Sequence, residues 1–229
     1  KNIWRAHFPA KGTYKLSYEV YCHETSVRTS FVDESHAFLH GPSLYLGVKG
    51  EDIQKPTIEF KFPACWSKIS TGLKDVSLNR QQFLYEASHY DELLDSPVEI
   101  GCHETDGFIL GGKEHELAFY GKTLVHGQDL KKDMAKITTH VANYFGELPY
   151  ERYVYITHFL PDEYGGLEHH NSTALHFDGT MLGKRKEYLK WISLVGHEYF
   201  HTWNVKRIRP FELGPFDYHQ ENYTELLWL

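Results

Sequence analysis

Near Gly127 the spacing of apolar residues changes period, and that change constrains the fold more than any other feature of the sequence. Before it, Tyr14, Leu16, Tyr18, Val20 and Cys22 alternate with Lys15, Ser17, Glu19 and Tyr21. The alternation returns at Val27, Thr29 and Phe31, at Leu44, Leu46 and Val48, and at Ile58, Phe60 and Phe62. A period of two is that of a half-buried β-strand. Gly41-Pro42, Gly50, Ser96-Pro97 and Gly111-Gly112 punctuate these runs as turns between antiparallel strands do. Leu117 and Phe119 make a last strand before Gly121.

After Gly127, Leu130, Met134, Ile137, Val141 and Tyr144 fall three or four apart, a helix that Gly146 stops. Tyr153 to Thr157 reads as a short strand, followed by Gly165-Gly166. A second helix is predicted from about Lys184 to Val205, before Pro210. Its Tyr188, Trp191, Ile192, Val195 and Tyr199 make one apolar stripe, with Leu194 and Phe200 off it, so the helix is buried on more than one face. Asp217 to Leu229 opens as a third helix. The pattern predicts an α+β fold: a β-rich domain over residues 1–123, then a mixed domain over 124–229.

Composition narrows the function classes. At 229 residues with 41% hydrophobic and 24% charged residues, the chain has what a packed core requires. A net charge of -7 provides no basic field to track phosphates, so a nucleic-acid partner is not expected. No apolar run approaches the roughly 18 residues that span a bilayer, so no membrane association is expected either. Cys22, Cys65 and Cys102 are too few and too scattered for a disulfide framework or a zinc ribbon, and are expected to be buried free thiols. Free thiols favour a cytoplasmic over a periplasmic location.

The chemistry concentrates at His197-Glu198-Tyr199-Phe200-His201, an H-E-x-x-H in the middle of the second helix. Residues four apart share a helix face, so His197 and His201 can converge on one tetrahedral metal ion. Glu198, one position round, can reach a water beside that metal without being a ligand. This is the arrangement of a zinc hydrolase with a glutamate general base. His23-Glu24, His103-Glu104 and His115-Glu116 do not complete the motif. The competing explanation is a histidine pair packed by chance, but buried imidazoles and a carboxylate without a partner are costly. A third ligand is required. Glu212 lies too close behind the helix; Glu221 and Glu225, on the following helix, are candidates, although solvated helix-face carboxylates are the plainer reading of both.

HEYFHTWNVKRIRP (197–210) with ELGPFDYHQENYTELLWL (212–229) resembles the active-site stretch of the glycyl aminopeptidase family. These are bacterial gluzincin metallopeptidases that carry a PDZ domain in full-length members. GGLEHHNST (165–173) resembles a second signature of that family, and DSPVEIG (95–101) fits its N-terminal β domain. The resemblance implies a β-rich N-terminal domain followed by the first part of a thermolysin-like catalytic domain. It implies that the third zinc ligand is a glutamate in a Glu-Gly pair beyond Leu229, so that the chain is a fragment, also lacking the tyrosine that stabilises the tetrahedral intermediate. On their own, Gly165-Gly166 reads as a turn and Glu168 as a surface carboxylate. Under the resemblance, Gly165 and Gly166 allow close backbone approach of a substrate added as a strand, and Glu168 holds the free α-amine.

The function this implies is a zinc-dependent aminopeptidase acting on peptides with a free N-terminus, with a preference for small residues such as glycine. In that reading His197 and His201 hold zinc, Glu198 is the general base, and Gly165, Gly166 and Glu168 bind substrate. A zinc endopeptidase of the same fold is the nearest alternative, and a non-catalytic peptide-binding relative is another. His169, His170 and His176 are candidates for lining the cleft, but solvated loop histidines are the plainer reading. Lys206, Arg207 and Arg209 are expected to meet the helix C-terminus and to form internal ion pairs.

Overall fold

A computed structural model describes residues 3–51, 53–79, 82–125, 127–214 and 221–226. Its mixed sheets and few helices make an α+β fold. The N-terminal part carries two small sheets. One orders β1 (Phe31–Val32), β2 (His36–Leu39), β7 (Val98–Gly101) and β4 (Lys68–Thr71), antiparallel throughout. The other orders β3 (Thr57–Glu59), β6 (Leu84–Glu86) and β5 (Lys74–Asp75). A short helix, α1 (Tyr90–Leu94), leads towards β7 and is capped by the His89 side chain, which accepts from the Glu92 N–H. Phe60, Trp66, Tyr85, Leu93, Val98 and Ile100 form the core here. Burying each such large side chain contributes about 1.5–3 kcal/mol.

The third sheet has five strands in the order β11-β12-β10-β9-β8. They are β8 (Glu104–Leu110), β9 (Lys113–Gly121), β10 (Arg152–Phe159), β11 (Tyr164–Glu168) and β12 (Ser172–Phe177). β8 and β9 form a hairpin across Gly111 and Gly112, whose φ angles of 57° and 77° are those of a two-residue turn of type I′. The helix α2 (Gly127–Phe145) is the crossover that lets β10 run parallel to β9, from Arg152↔Glu114 to Phe159↔Gly121. Leu117 and Phe119 therefore belong to the sheet of the second half. The partner of β9 lies across a long crossover that local spacing does not report.

On one face of this sheet Leu117, Tyr153, Tyr155 and Leu175 pack against α2 and the helix α3 (Arg185–Phe200), through Leu130, Met134, Trp191, Val195 and Tyr199. On the other face Ala118, Val154, Ile156 and Ala174 meet Val27 and Phe38 of the N-terminal part. Among the described residues, no helix is long and apolar enough to cross a membrane.

Several expected elements differ. Residues 14–22 join no sheet, and Tyr14, Leu16, Tyr18 and Val20 are exposed. Alternation prepares a strand; pairing needs a neighbour. The run at Leu44, Leu46 and Val48 follows a 3-10 turn over Gly41–Ser43 and stays irregular. The predicted second helix ends at Phe200, with His201 as its C-cap, and tight turns continue to Arg207. Of the predicted third helix, residues 217–220 and 227–229 lie outside the described residues, and residues 221–226 are not helical. The cysteines are free, but Cys65 and Cys102 are exposed rather than buried.

Candidate metal centre

The site grows out of how α3 is seated. Trp191, Val195 and Tyr199, four apart, are fully buried against the sheet. The Tyr199 hydroxyl bonds that of Tyr150, which in turn meets His115 Nε2 at 2.7 Å, so the helix is fixed in rotation as well as in depth. Glu198 falls beside this stripe and is buried, whereas His197 and His201 fall further round and face outward.

Their Nε2 atoms are 3.1 Å apart. Two nitrogens on one tetrahedral zinc, each at about 2.0–2.1 Å, lie roughly 3.3 Å apart, so the pair fits that ion. His201 Nδ1 sits 2.6 Å from the Asn204 carbonyl, which as an acceptor fixes the proton on Nδ1 and leaves the Nε2 lone pair free for a metal. Burial and His201 lower the His197 pKa, and Glu168 opposes them.

β11 closes the site from the sheet edge. Side chains alternate along it, so Tyr164, Gly166 and Glu168, paired with Phe177, Leu175 and Thr173, share the α3 face. Gly165 and Leu167 point the other way, towards the N-terminal part. Gly166 has a role its sequence context did not reveal: a Cβ there would lie 2.2 Å from Glu198 Oε1. The bare backbone is what lets the Glu198 carboxylate lie against the strand. A Cβ on Gly165 would meet only Val27 Cγ2, at 3.8 Å.

Acidic oxygens of Glu168 and Glu198 and a ring nitrogen of His201 all lie within 4.8 Å of one another, the donor set of a cation site. Burial, reinforced by the Glu168 charge and opposed by Arg28, pushes Glu198 up to about 7. A carboxyl poised there can accept and return a proton near neutral pH. Glu221 and Glu225 are exposed and belong to no such group among the described residues.

Residues 1–102 match the Peptidase M61 N-terminal domain, and residues 190–229 match the M61 glycyl aminopeptidase. The chain belongs to this peptidase family. It is similar to the crystal structure of an aminopeptidase N family protein from Idiomarina loihiensis, with a TM-score of 0.84 and 32% identity. The likeness covers 91% of this chain and 37% of that one, so the M61 chain spans little more than a third of that neighbour's length. No curated protein matches it.

The other histidines are placed elsewhere. His176 is no loop residue: it lies buried in β12, on the face away from α3, 3.1 Å from His158 Nδ1. His158 Nε2 reaches Glu99 Oε2 at 2.8 Å, and His36 Nδ1 reaches Glu99 Oε1 at 2.8 Å. This buried His36–Glu99–His158 group is a second donor set compatible with a metal, but each carboxylate oxygen already takes one imidazole. It bridges β2 and β7 to β10. His169 is buried and bonded to Asp95, while the exposed His170 lies at the hairpin tip. Lys206 pairs with Asp95 at 2.8 Å, and Arg207 donates to the carbonyls of Thr202, His170 and Pro149. Sequence reasoning missed Asn204, Asp95 and Glu99. For the two acids the DSPVEIG stretch was the available signal.

Proposed function

We propose that the protein to which this chain belongs is a zinc aminopeptidase that hydrolyses the N-terminal peptide bond of peptides. The observation that carries this is one arrangement: Glu198 lies beside a convergent His197–His201 pair and a second carboxylate, Glu168, which sits on the edge strand β11.

His197 and His201 would hold zinc, which when bound would supply the positive charge that polarises the scissile carbonyl and acidifies a water. The chain's own groups do the rest. Glu198 takes a proton from the attacking water and returns it to the leaving nitrogen as the C–N bond breaks. Glu168 holds the substrate's α-ammonium by a charge-assisted hydrogen bond. β11 is the last strand of its sheet, so its outer backbone groups can take an extended peptide as one more strand. A preference for glycine or another small N-terminal residue is part of the proposal, supported by the match to the M61 glycyl aminopeptidase. A cytoplasmic location, and a catalytic domain beginning after the N-terminal β-rich domain, complete the proposal.

The deciding experiment replaces Glu198 with Gln in the full-length protein. Turnover is expected to fall at least 10³-fold, within the range of a lost general base, while one zinc per chain is retained. Turnover within tenfold of the parent protein would sink the mechanism. A second reading, in which Glu168 is itself a metal ligand in a zinc endopeptidase, draws support from the closeness of Glu168, Glu198 and His201. In that case N-acetylated peptides would be cleaved as well as free ones.

A further inference from the structure

The residues that follow Glu168 form the tip of the β11–β12 hairpin, and this tip is held from two sides. From the N-terminal part, Asp95 at the C-cap of α1 accepts from His169 Nδ1 at 3.0 Å and from the His170 backbone N–H at 2.8 Å. Asn171 donates to the Gly72 carbonyl at 3.0 Å, and the same asparagine fills the space where a Gly72 side chain would be. From the segment that follows α3, Lys206 Nζ donates to the same Asp95 Oδ1 at 2.8 Å, and Arg207 donates to the His170 carbonyl at 2.8 Å. Burial pushes the Asp95 carboxyl up, but His169 and Lys206 more than reverse this and hold it ionised.

One carboxylate therefore joins the strand that carries Glu168 to the segment that leaves the His197–His201 helix. We propose that Asp95 is a positioning residue that sets the distance between the amine-binding carboxylate Glu168 and the metal ligands. The proposal rests on the reading of Glu168 as the amine anchor. In an α-amino acyl group the ammonium nitrogen and the carbonyl carbon are separated by a single carbon. The site must hold anchor and metal at a matching separation, and an error of about 1 Å is enough to lose the benefit. A contact from the N-terminal β-rich part, outside the catalytic sheet, fixes that separation. This gives that part of the chain a role in selecting free N-termini.

The test compares two inhibitors of the zinc-loaded full-length protein that differ only in the α-amine: glycine hydroxamate and acetohydroxamate. Their inhibition-constant ratio is measured within each variant, so general damage to the protein or to zinc binding cancels. The parent protein is expected to favour glycine hydroxamate by roughly 10- to 100-fold, the strength of a charge-assisted contact. Glu168→Gln should bring the ratio close to one. Asp95→Asn should lower it at least fivefold while leaving acetohydroxamate inhibition and zinc content unchanged. If Glu168→Gln abolishes the preference and Asp95→Asn keeps it, the positioning role is refuted and the amine anchor stands. If Glu168→Gln leaves the preference intact, the anchor reading fails and the positioning role fails with it. Should Asp95→Asn not fold, Lys206→Met decides: a lowered ratio supports the proposal and an unchanged one overturns it.

Discussion

Replacing Gly166 with Ala tests whether the Glu198 carboxylate works from the position the strand gives it. An alanine Cβ would lie 2.2 Å from Oε1, 2.4 Å from Cδ and 2.6 Å from Cγ of Glu198. Non-bonded heavy atoms settle at about 3.5 Å, so the carboxylate must withdraw by roughly 1 Å or more. The obstructed group is the end of a flexible side chain, and it can rotate away cheaply. Alanine in a strand is favoured over glycine by about 0.5–1 kcal/mol, so the thermal midpoint should hardly move. Activity should not be spared: a 1 Å misplacement costs about 10²-fold in rate, or about 2.7 kcal/mol of barrier. Because His197 and His201 are not touched, zinc content should stay constant. Gly165→Ala is the internal control, since its Cβ meets only Val27 Cγ2 at an ordinary 3.8 Å. The assay is kcat on a free-amine peptide, with zinc per chain and thermal midpoint measured on the same samples. Equal rates in the two alanine variants would refute the reasoning, because only one of them displaces the base.

Glu168→Gln should raise KM for free-amine peptides by about 10- to 100-fold, the worth of a charge-assisted hydrogen bond, with zinc stoichiometry unchanged. Loss of zinc, read by metal analysis, would instead make Glu168 a ligand. Acid should destabilise the fold through its buried imidazoles. Burial lowers His103 and His115 to about 4, and His158 and His176 to about 3, from 6.5. The unfolded chain takes up these protons first, so the stability they contribute is present above about pH 6.5 and is lost as pH falls below it. Over the unit from pH 6.5 to 5.5 each costs about 1 kcal/mol, about 4 together. His40, lowered by burial to about 4, adds about 1 kcal/mol more. Glu99 and Glu198 act in the opposite sense: burial raises both from 4.5 to about 7, so the fold takes up those protons first. The two carboxyls offset about 2 kcal/mol, leaving a net loss of about 3. A urea midpoint that is equal or higher at pH 5.5 would contradict this balance.

What the sequence reveals depends on how local the determining interaction is. α2 and α3 are legible because a helix writes its buried face into a short window, and the H-E-x-x-H pair converges by helix geometry alone. β9 is legible as a strand but not as a member of the five-stranded sheet, since its register with β10 is set across α2. Residues 14–22 show the opposite failure, a strand pattern that meets β1 only at its end, through the Cys22 carbonyl and Val32 N–H. His169 and His176 look like ordinary polar histidines because their partners Asp95 and His158 lie far away in sequence. Gly165-Gly166 reads as a turn from composition alone. Only the pairing of β11 with β12 shows that the two glycines face opposite ways and do different things.

That division bears on what the N-terminal part does near a centre whose two candidate histidine ligands lie on α3 and at its C-cap. Apolar contact between Val27 or Phe38 and the back of the sheet holds the two parts together, but such contact is non-directional and tolerates sliding. Hydrogen bonds to charged groups fix angles and distances. Asp95 and Glu99, four residues apart, supply these at two places: Asp95 on the hairpin that carries Glu168, and Glu99 on His158 in the middle of the same sheet. With α3 locked to the sheet through Tyr199 and the sheet locked to the N-terminal part through Glu99, the hairpin tip is the remaining place where the anchor could drift relative to the metal ligands. Asp95 and Lys206 meet at that place, so a defect there should appear as lost recognition of the amine before it appears as lost stability.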